Sequence, residues 1–143
     1  MIDIGPVFLD TSYFIALTNA GDRHHQVALA AKDDLLRRDI PCTTSAFVLV
    51  ELLDGLARLR RRSLGLAIVD EILADDALQV AAASERLFGS GLQRYRERAD
   101  KEWGLTDCTS FVVMEERGIS AALTADRHFA QAGFRALLLE AGA

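Results

Sequence analysis

The sequence predicts an α/β domain: a central parallel sheet of about five short strands, flanked by helices. Three observations lead there. Short apolar segments alternate with longer stretches in which apolar residues recur at helical spacing, the order that builds strand–helix–strand units. Val7-Phe8-Leu9 and Ala121-Ala122-Leu123 are apolar without alternation, as strands buried on both faces are. Both prolines, Pro6 and Pro41, stand just before short segments of this kind, where a strand starts and a missing N–H is tolerated. With 143 residues, no repeat, no low-complexity segment and no Pro/Gly-rich linker, the chain suits one domain over residues 1–143.

The elements are taken in chain order. Val7 to Leu9 reads as a buried strand, and Thr11 or Ser12 can cap a helix running to about Thr18. Asp22 caps a second helix with Val27, Ala28, Ala31, Leu35 and Leu36 as its apolar stripe. Pro41 to Thr43 is a short strand. Thr44 or Ser45 then caps a long helix through Leu49, Leu52, Leu53, Leu56 and Leu59. Another helix covers about Ser63 to Leu73. Ala77 to Ala81 is strand-like, and Ser84 opens a helix to about Arg98. Thr106 or Asp107 caps a helix from Cys108 to Glu116, stopped by Gly118. Ile119 to Leu123 is a strand, Asp126 begins a short helical turn, and Phe134 to Leu138 is the last strand.

Composition narrows the function classes. Half the residues are hydrophobic, yet no run approaches the ~20 apolar residues of a membrane span. Met1-Ile2-Asp3-Ile4-Gly5 has neither the basic start nor the apolar stretch of a secretory signal. Cys42 and Cys108 follow no zinc or CxxC spacing and suit a reducing cytoplasm. The net charge of −5 argues against holding nucleic acid by overall positive charge. The basic residues are nonetheless clustered. Fourteen of the sixteen are Arg, gathered at Arg37-Arg38, at Arg58 with Arg60 to Arg62, and at Arg94, Arg96 and Arg98. Arg grips phosphate in a bidentate fork, although such runs are also ordinary solvated helix faces.

Four acids are hard to explain by folding alone. Asp10 ends the apolar run of the first strand, and Glu51 interrupts an apolar helix. Asp107 lies in Leu105-Thr106-Asp107-Cys108, and Asp126 comes after Ala121 to Ala125. Each has an ordinary alternative: Asp107 and Asp126 as caps or turn residues, Asp10 as a cap, Glu51 as a surface residue. Their joint placement favours a site. In open α/β sheets the ligand crevice lies outside the carboxyl ends of the strands. Asp10 and Asp126 each come directly after a strand, and the other two sit near helix starts facing the same edge. Brought together, each close pair of carboxylates costs roughly 4 kcal/mol at an effective dielectric near 20. A divalent cation is the natural remedy.

His24 and His25 are adjacent and point ~100° apart, so they do not share a metal readily; they and His128 read as surface or packing residues. With no Cys or His assigned beside the acids, the donor set is all oxygen and suits Mg²⁺ or Mn²⁺ rather than zinc. No P-loop, GxGxxG or serine elbow is present. Thr11 and Ser12 read as supports that hydrogen-bond the metal-binding carboxylates or a substrate phosphate.

The ordered set Phe8-Leu9-Asp10-Thr11-Ser12, Asp22-Arg23-His24-His25 with Ala28, Glu51 in its apolar helix, Trp103-Gly104-Leu105-Thr106-Asp107-Cys108, and Leu123-Thr124-Ala125-Asp126-Arg127-His128-Phe129 resembles PIN-domain ribonucleases, particularly the toxin subunits of VapBC-type toxin–antitoxin pairs. The resemblance spans residues 8 to 129. It implies a PIN-like three-layer fold with the first strand central, and a Mg²⁺- or Mn²⁺-dependent endoribonuclease leaving 5′-phosphate and 3′-hydroxyl ends. It makes Asp10, Glu51, Asp107 and Asp126 the catalytic and metal-binding acids, with Asp10 and Asp107 as direct ligands and Thr11 and Ser12 as support. It also implies an RNA substrate, a homodimer, and a cognate antitoxin that lays an amphipathic helix in an apolar groove, for which the leucine-rich helices Leu49 to Leu59 and Leu64 to Leu73 are the candidates beside their core-packing role, and sends a basic side chain into the acidic pocket. Arg58 to Arg62 is the first place to expect RNA contact. The competing reading is a non-catalytic RNA- or protein-binding module of the same fold.

Overall fold

A computed structural model describes residues 5–141; the reading of Met1 to Ile4 as part of no secretory signal lies outside the described residues. The elements run β1 (Val7–Leu9), α1 (Thr11–Thr18), α2 (His25–Arg38), β2 (Cys42–Ser45), α3 (Ala46–Gly55), α4 (Arg62–Ala74), β3 (Leu78–Ala81), α5 (Glu85–Glu97), α6 (Leu105–Glu116), β4 (Ala121–Leu123), α7 (Arg127–Gln131), β5 (Arg135–Ala136) and α8 (Leu137–Ala141). All strand pairings are parallel and the order is β3-β2-β1-β4-β5. The expected parallel five-stranded sheet with β1 at its centre is therefore what forms. The chain goes one way from β1 to β2 and β3, and reaches β4 on the other side of β1. That reversal beside β1 is where a crevice opens at the carboxyl edge.

β1 is central because nothing in it is polar: Val7 and Phe8 are fully buried and Leu9 nearly so. Ala121 and Ala122 stand opposite Val7 and Phe8. Phe8, Phe111 and Phe129 are fully buried, and the Phe111 ring meets Trp103 and Phe129 edge-on at 5.1 and 5.0 Å between centroids. Edge-to-face pairs of this kind are favoured by the ring quadrupole. Ser45 caps α3, its hydroxyl accepting from the Val48 N–H at 3.2 Å. Ser84 does the same for α5 through the Leu87 N–H at 3.0 Å.

Several expected boundaries shift, each for a local reason. α3 stops at Gly55, so Leu59 lies beyond it and is 91% exposed. Leu36 is not in the stripe of α2; it is 73% exposed. α2 starts at His25 rather than after Asp22, whose carboxylate accepts from the His24 N–H and closes a turn ahead of the helix. α6 begins at Leu105, earlier than expected, with extended Gly104 before it. The last strand shrinks to Arg135–Ala136 because three-residue β4 offers only Ala121 and Ala122 as partners. Leu137 to Ala141, strong helix formers, then turn into α8. Gly118 takes a left-handed φ of +67° after α6, in keeping with its expected role as the stop.

Candidate metal-binding active site

One cleft at the carboxyl edge is lined by Asp10, Thr11, Ser12, Asp22, Glu51, Gly104, Asp107, Asp126 and His128, with Ile15 and Ala125. All six residues singled out in the sequence meet there. They arrive on four separate segments: the β1–α1 junction, α3, α6 and the β4–α7 junction.

Asp10 is the most constrained. It is 4% exposed, and its Oδ2 accepts hydrogen bonds from Ser12 Oγ (3.0 Å) and Thr124 Oγ1 (2.8 Å). The two hydroxyls are occupied on their other side as well, accepting from the Ala125 N–H (2.9 Å) and the Asp126 N–H (3.0 Å). Ser12 thus acts as a staple between β1 and β4, holding Asp10 in one rotamer. No described side-chain oxygen is both buried and without a hydrogen bond. Asp10 Oδ1, which takes neither hydroxyl, therefore retains an opening to the cleft. Burial lifts the Asp10 pKa to about 6; the two hydroxyls pull it down, while Asp107 and Glu51 add like charge.

Glu51 accepts from Thr11 Oγ1 at 2.6 Å, which ties α3 to the start of α1. Asp107 is the third residue of α6, and its Oδ2 accepts from the Gly104 N–H at 3.3 Å, closing the first helical turn. Its pKa is raised, first by burial and then by Asp126, against the lowering hydrogen bond from His128. Asp126 caps α7 through the His128 N–H at 2.8 Å.

The expectation that no histidine stands beside the acids is overturned. His128 Nδ1 lies 3.1 Å from Asp107 Oδ2 and 3.4 Å from Asp126 Oδ1. Two carboxylates offer it only acceptors, so Nδ1 carries a proton and donates to Asp107. Donor atoms of Asp107, Asp126 and His128 lie within 4.8 Å of one another. Asp22 is the other residue missed, a fifth carboxylate in the cleft. Both had a local signal. Asp126 and Asp22 each bond the backbone N–H two residues on, a turn that carries the intervening chain past the sheet edge. Thr124 was not foreseen either, though a hydroxyl directly after a buried strand is well placed to meet Asp10.

None of Asp10, Glu51, Asp107 and Asp126 is paired with Lys or Arg among the described residues. An acidic crevice with no Lys or Arg partner among the described residues, at the switch point of a parallel sheet, is a place where a ligand can bind and a cation would offset the carboxylates. The chain belongs to the PIN-domain family, whose model matches residues 7–135. It is 34% identical over 133 residues to the 23S rRNA-specific endonuclease VapC20 of Mycobacterium tuberculosis, covering 90% of this chain and 95% of that protein. The crystal structure of that VapC20, a sarcin–ricin loop-cleaving toxin, superposes with a TM-score of 0.78 at 30% identity over 91% of this chain and 97% of the other. FitAcB from Neisseria gonorrhoeae shares the fold at a TM-score of 0.64 and 17% identity, over 90% of this chain and 94% of that one.

Proposed function

We propose that the protein is a Mg²⁺- or Mn²⁺-dependent endoribonuclease that hydrolyses RNA phosphodiester bonds as the toxin of a toxin–antitoxin pair. The observation that carries this is the convergence of four carboxylates from four segments, with His128 beside two of them and no Lys or Arg partner among the described residues, in a PIN domain. The donor set fits a hard divalent cation: Asp107 and Asp126 offer carboxylate oxygens within 4.8 Å of one another beside His128, and Asp10 and Glu51 line the same cleft. Asp10 and Asp107 are the residues that would hold it directly, with Glu51 and Asp126 completing the shell directly or through water. Such a cation, when bound, lowers the pKa of a water and neutralises charge developing on the phosphate.

The chain's own groups supply the rest. Ser12 and Thr124 fix the Asp10 carboxylate, and Thr11 fixes Glu51. His128 orients Asp107 by donating from Nδ1, a positioning role. Cleavage leaves 5′-phosphate and 3′-hydroxyl ends. The identity to VapC20 across 90% of the chain supports large-subunit ribosomal RNA as the substrate. The protein acts in the cytoplasm as a homodimer, and no described helix is long and apolar enough to cross a membrane. A small antitoxin restrains it. Its amphipathic helix lies against the groove bordered by Phe14, Leu17, Leu29, Leu36, Ile68 and Ile72, and a basic side chain reaches the acids.

The test is Mg²⁺-dependent RNA cleavage by single Asp10→Asn and Asp107→Asn variants. Each is expected to lose at least ~100-fold in rate. Undiminished cleavage by both would remove this mechanism. For the partner, a small neighbour-encoded protein should co-purify and abolish cleavage; a chain that cells tolerate freely and that is active alone counts against it.

A further inference from the structure

We infer that the RNA strand leaving the acidic cleft is gripped by a basic, aromatic cleft on the other side of the 103–108 segment. This rests on the endoribonuclease reading and names the surface that reading leaves open. The cleft, about 460 Å³, is lined by Leu92, Tyr95, Arg96, Arg98, Ala99, Lys101, Trp103 and Cys108. Its floor touches the active site in sequence: Trp103 and Cys108 line it, while Gly104 and Asp107, between them, line the acids' cleft. The two depressions therefore share one wall.

The wall is rigid and the cations are set on it. Trp103 is 5% exposed, donates from Nε1 to Gln131 Oε1 at 3.1 Å, and stands edge-on to Phe111. The Arg98 guanidinium lies 4.9 Å from the Trp103 ring centroid and is bonded to Asp100 through Nε (3.0 Å) and a terminal nitrogen (3.1 Å). Arg98 is thus committed to the wall, its charge matched. Arg94 is likewise matched by Glu115. Arg96 and Lys101 differ: neither has an ion-pair partner among the described residues. Leu92, Tyr95 and Arg96 share one face of α5 by their i, i+3, i+4 spacing. Tyr95 presents an exposed ring.

Gly91 brings that face to the site. A Cβ at this position would stand 2.6 Å from Thr109 Cγ2, so only glycine lets α5 press onto α6 two residues past Asp107. Arg96, Lys101, whose charge is partly felt by neighbouring Asp100, and an exposed ring over an aromatic floor make a surface for a single-stranded backbone with an unstacked base. With an overall charge of −5 the chain as a whole does not attract RNA, so a local basic patch is where phosphate contacts would add affinity. The expected Arg58 to Arg62 group lines neither of these two clefts.

The test measures fluorescence anisotropy of a short labelled single-stranded RNA on the full chain carrying Asp107→Asn, across a range of NaCl. Arg96→Ala with Lys101→Ala is expected to weaken binding and to reduce the log–log salt slope by about 1.4, the release from two phosphates of a single strand. Tyr95→Ala is expected to weaken binding roughly tenfold with the slope kept, and Tyr95→Phe to restore it. Arg96→Lys with Lys101→Arg should retain the slope, which separates charge from damage to folding. Equal affinity and slope in parent and alanine variants overturn the proposal, as does failure of the parent to bind RNA. The nuclease reading is judged separately, by cleavage in the Asp107-containing chain. Cleavage with no effect of the α5 variants on binding removes the grip alone.

Discussion

At the scale of single residues, Asp10 sets a conflict between stability and function. Its pKa of about 6 in the folded, cation-free protein exceeds the 3.8 of an ordinary Asp. Between those values the native state binds more protons than the unfolded state. Stability therefore falls as pH rises through this window, and the loss is complete above about pH 6. The full effect is about 3 kcal/mol at most. Asp10→Asn removes the charge while its amide oxygen still accepts from Ser12 and Thr124. In EDTA at pH 7.5 the variant should melt several degrees above the parent, and the gap should close toward pH 4; thermal unfolding at the two pH values checks it. Under the proposed function, proton and cation would compete for this carboxylate, so cleavage is expected to rise as pH passes 6. His128 gives a second prediction at this scale. Removing its donor from Asp107 leaves that carboxylate with burial and Asp126 raising its pKa and less to oppose them. His128→Ala should cut cleavage ~10–100-fold, as loss of a residue supporting a metal ligand does. It should also move the pH profile of the rate upward. An unchanged profile would reduce His128 to packing.

At the scale of elements, the close seam between α5 and α6 is open to direct attack. Gly91→Ala places a methyl 2.6 Å from Thr109 Cγ2 and 3.3 Å from the Thr109 backbone. The helices must part, at a cost of ~1–3 kcal/mol in chemical denaturation. Thr109→Ser deletes the clashing methyl but keeps the hydroxyl that donates to the Thr106 carbonyl at 2.7 Å. In the double variant more than half of the lost stability should return. Denaturation midpoints of the four chains decide this; independent, additive effects would mean that the contact does not set the seam. Elements also differ in how far they could be read in advance. β1, β4 and the cap at Ser45 were legible because apolar runs and cap hydroxyls act locally. The start of α6 was not, because Asp107 caps backward to Gly104, while a reading from propensity takes Asp as the residue that precedes a helix. The expected last strand was shortened by pairing: β4 is too short to hold five residues beside it.

At the scale of the molecule, the site is a product of the order of the strands. Parallel β-strands deliver the residues after β1 and after β4 to the same edge, and β1 next to β4 brings Asp10 beside Thr124 to Asp126 across more than a hundred residues of chain. That convergence was legible from topology. Asp22 and His128 were not, because nothing in periodicity reports which loop residues a sheet edge gathers. The resulting charge has a global consequence. Four or more carboxylates around one crevice, with His128 beside two of them and no Lys or Arg partner among the described residues, repel each other in the folded state and separate on unfolding. A cation that binds only the folded crevice stabilises it by RT ln(1 + [L]/Kd), about 2.7 kcal/mol when it is present at ~100 times Kd. Mn²⁺ or Mg²⁺ added to EDTA-treated protein should raise Tm by several degrees. NaCl at matched ionic strength should do so much less, since screening alone reaches a half-buried cluster weakly. Asp107→Asn should abolish most of the divalent effect while keeping the NaCl response. An equal rise with both salts would show that the crevice relaxes by screening and has no specific hold on a divalent ion.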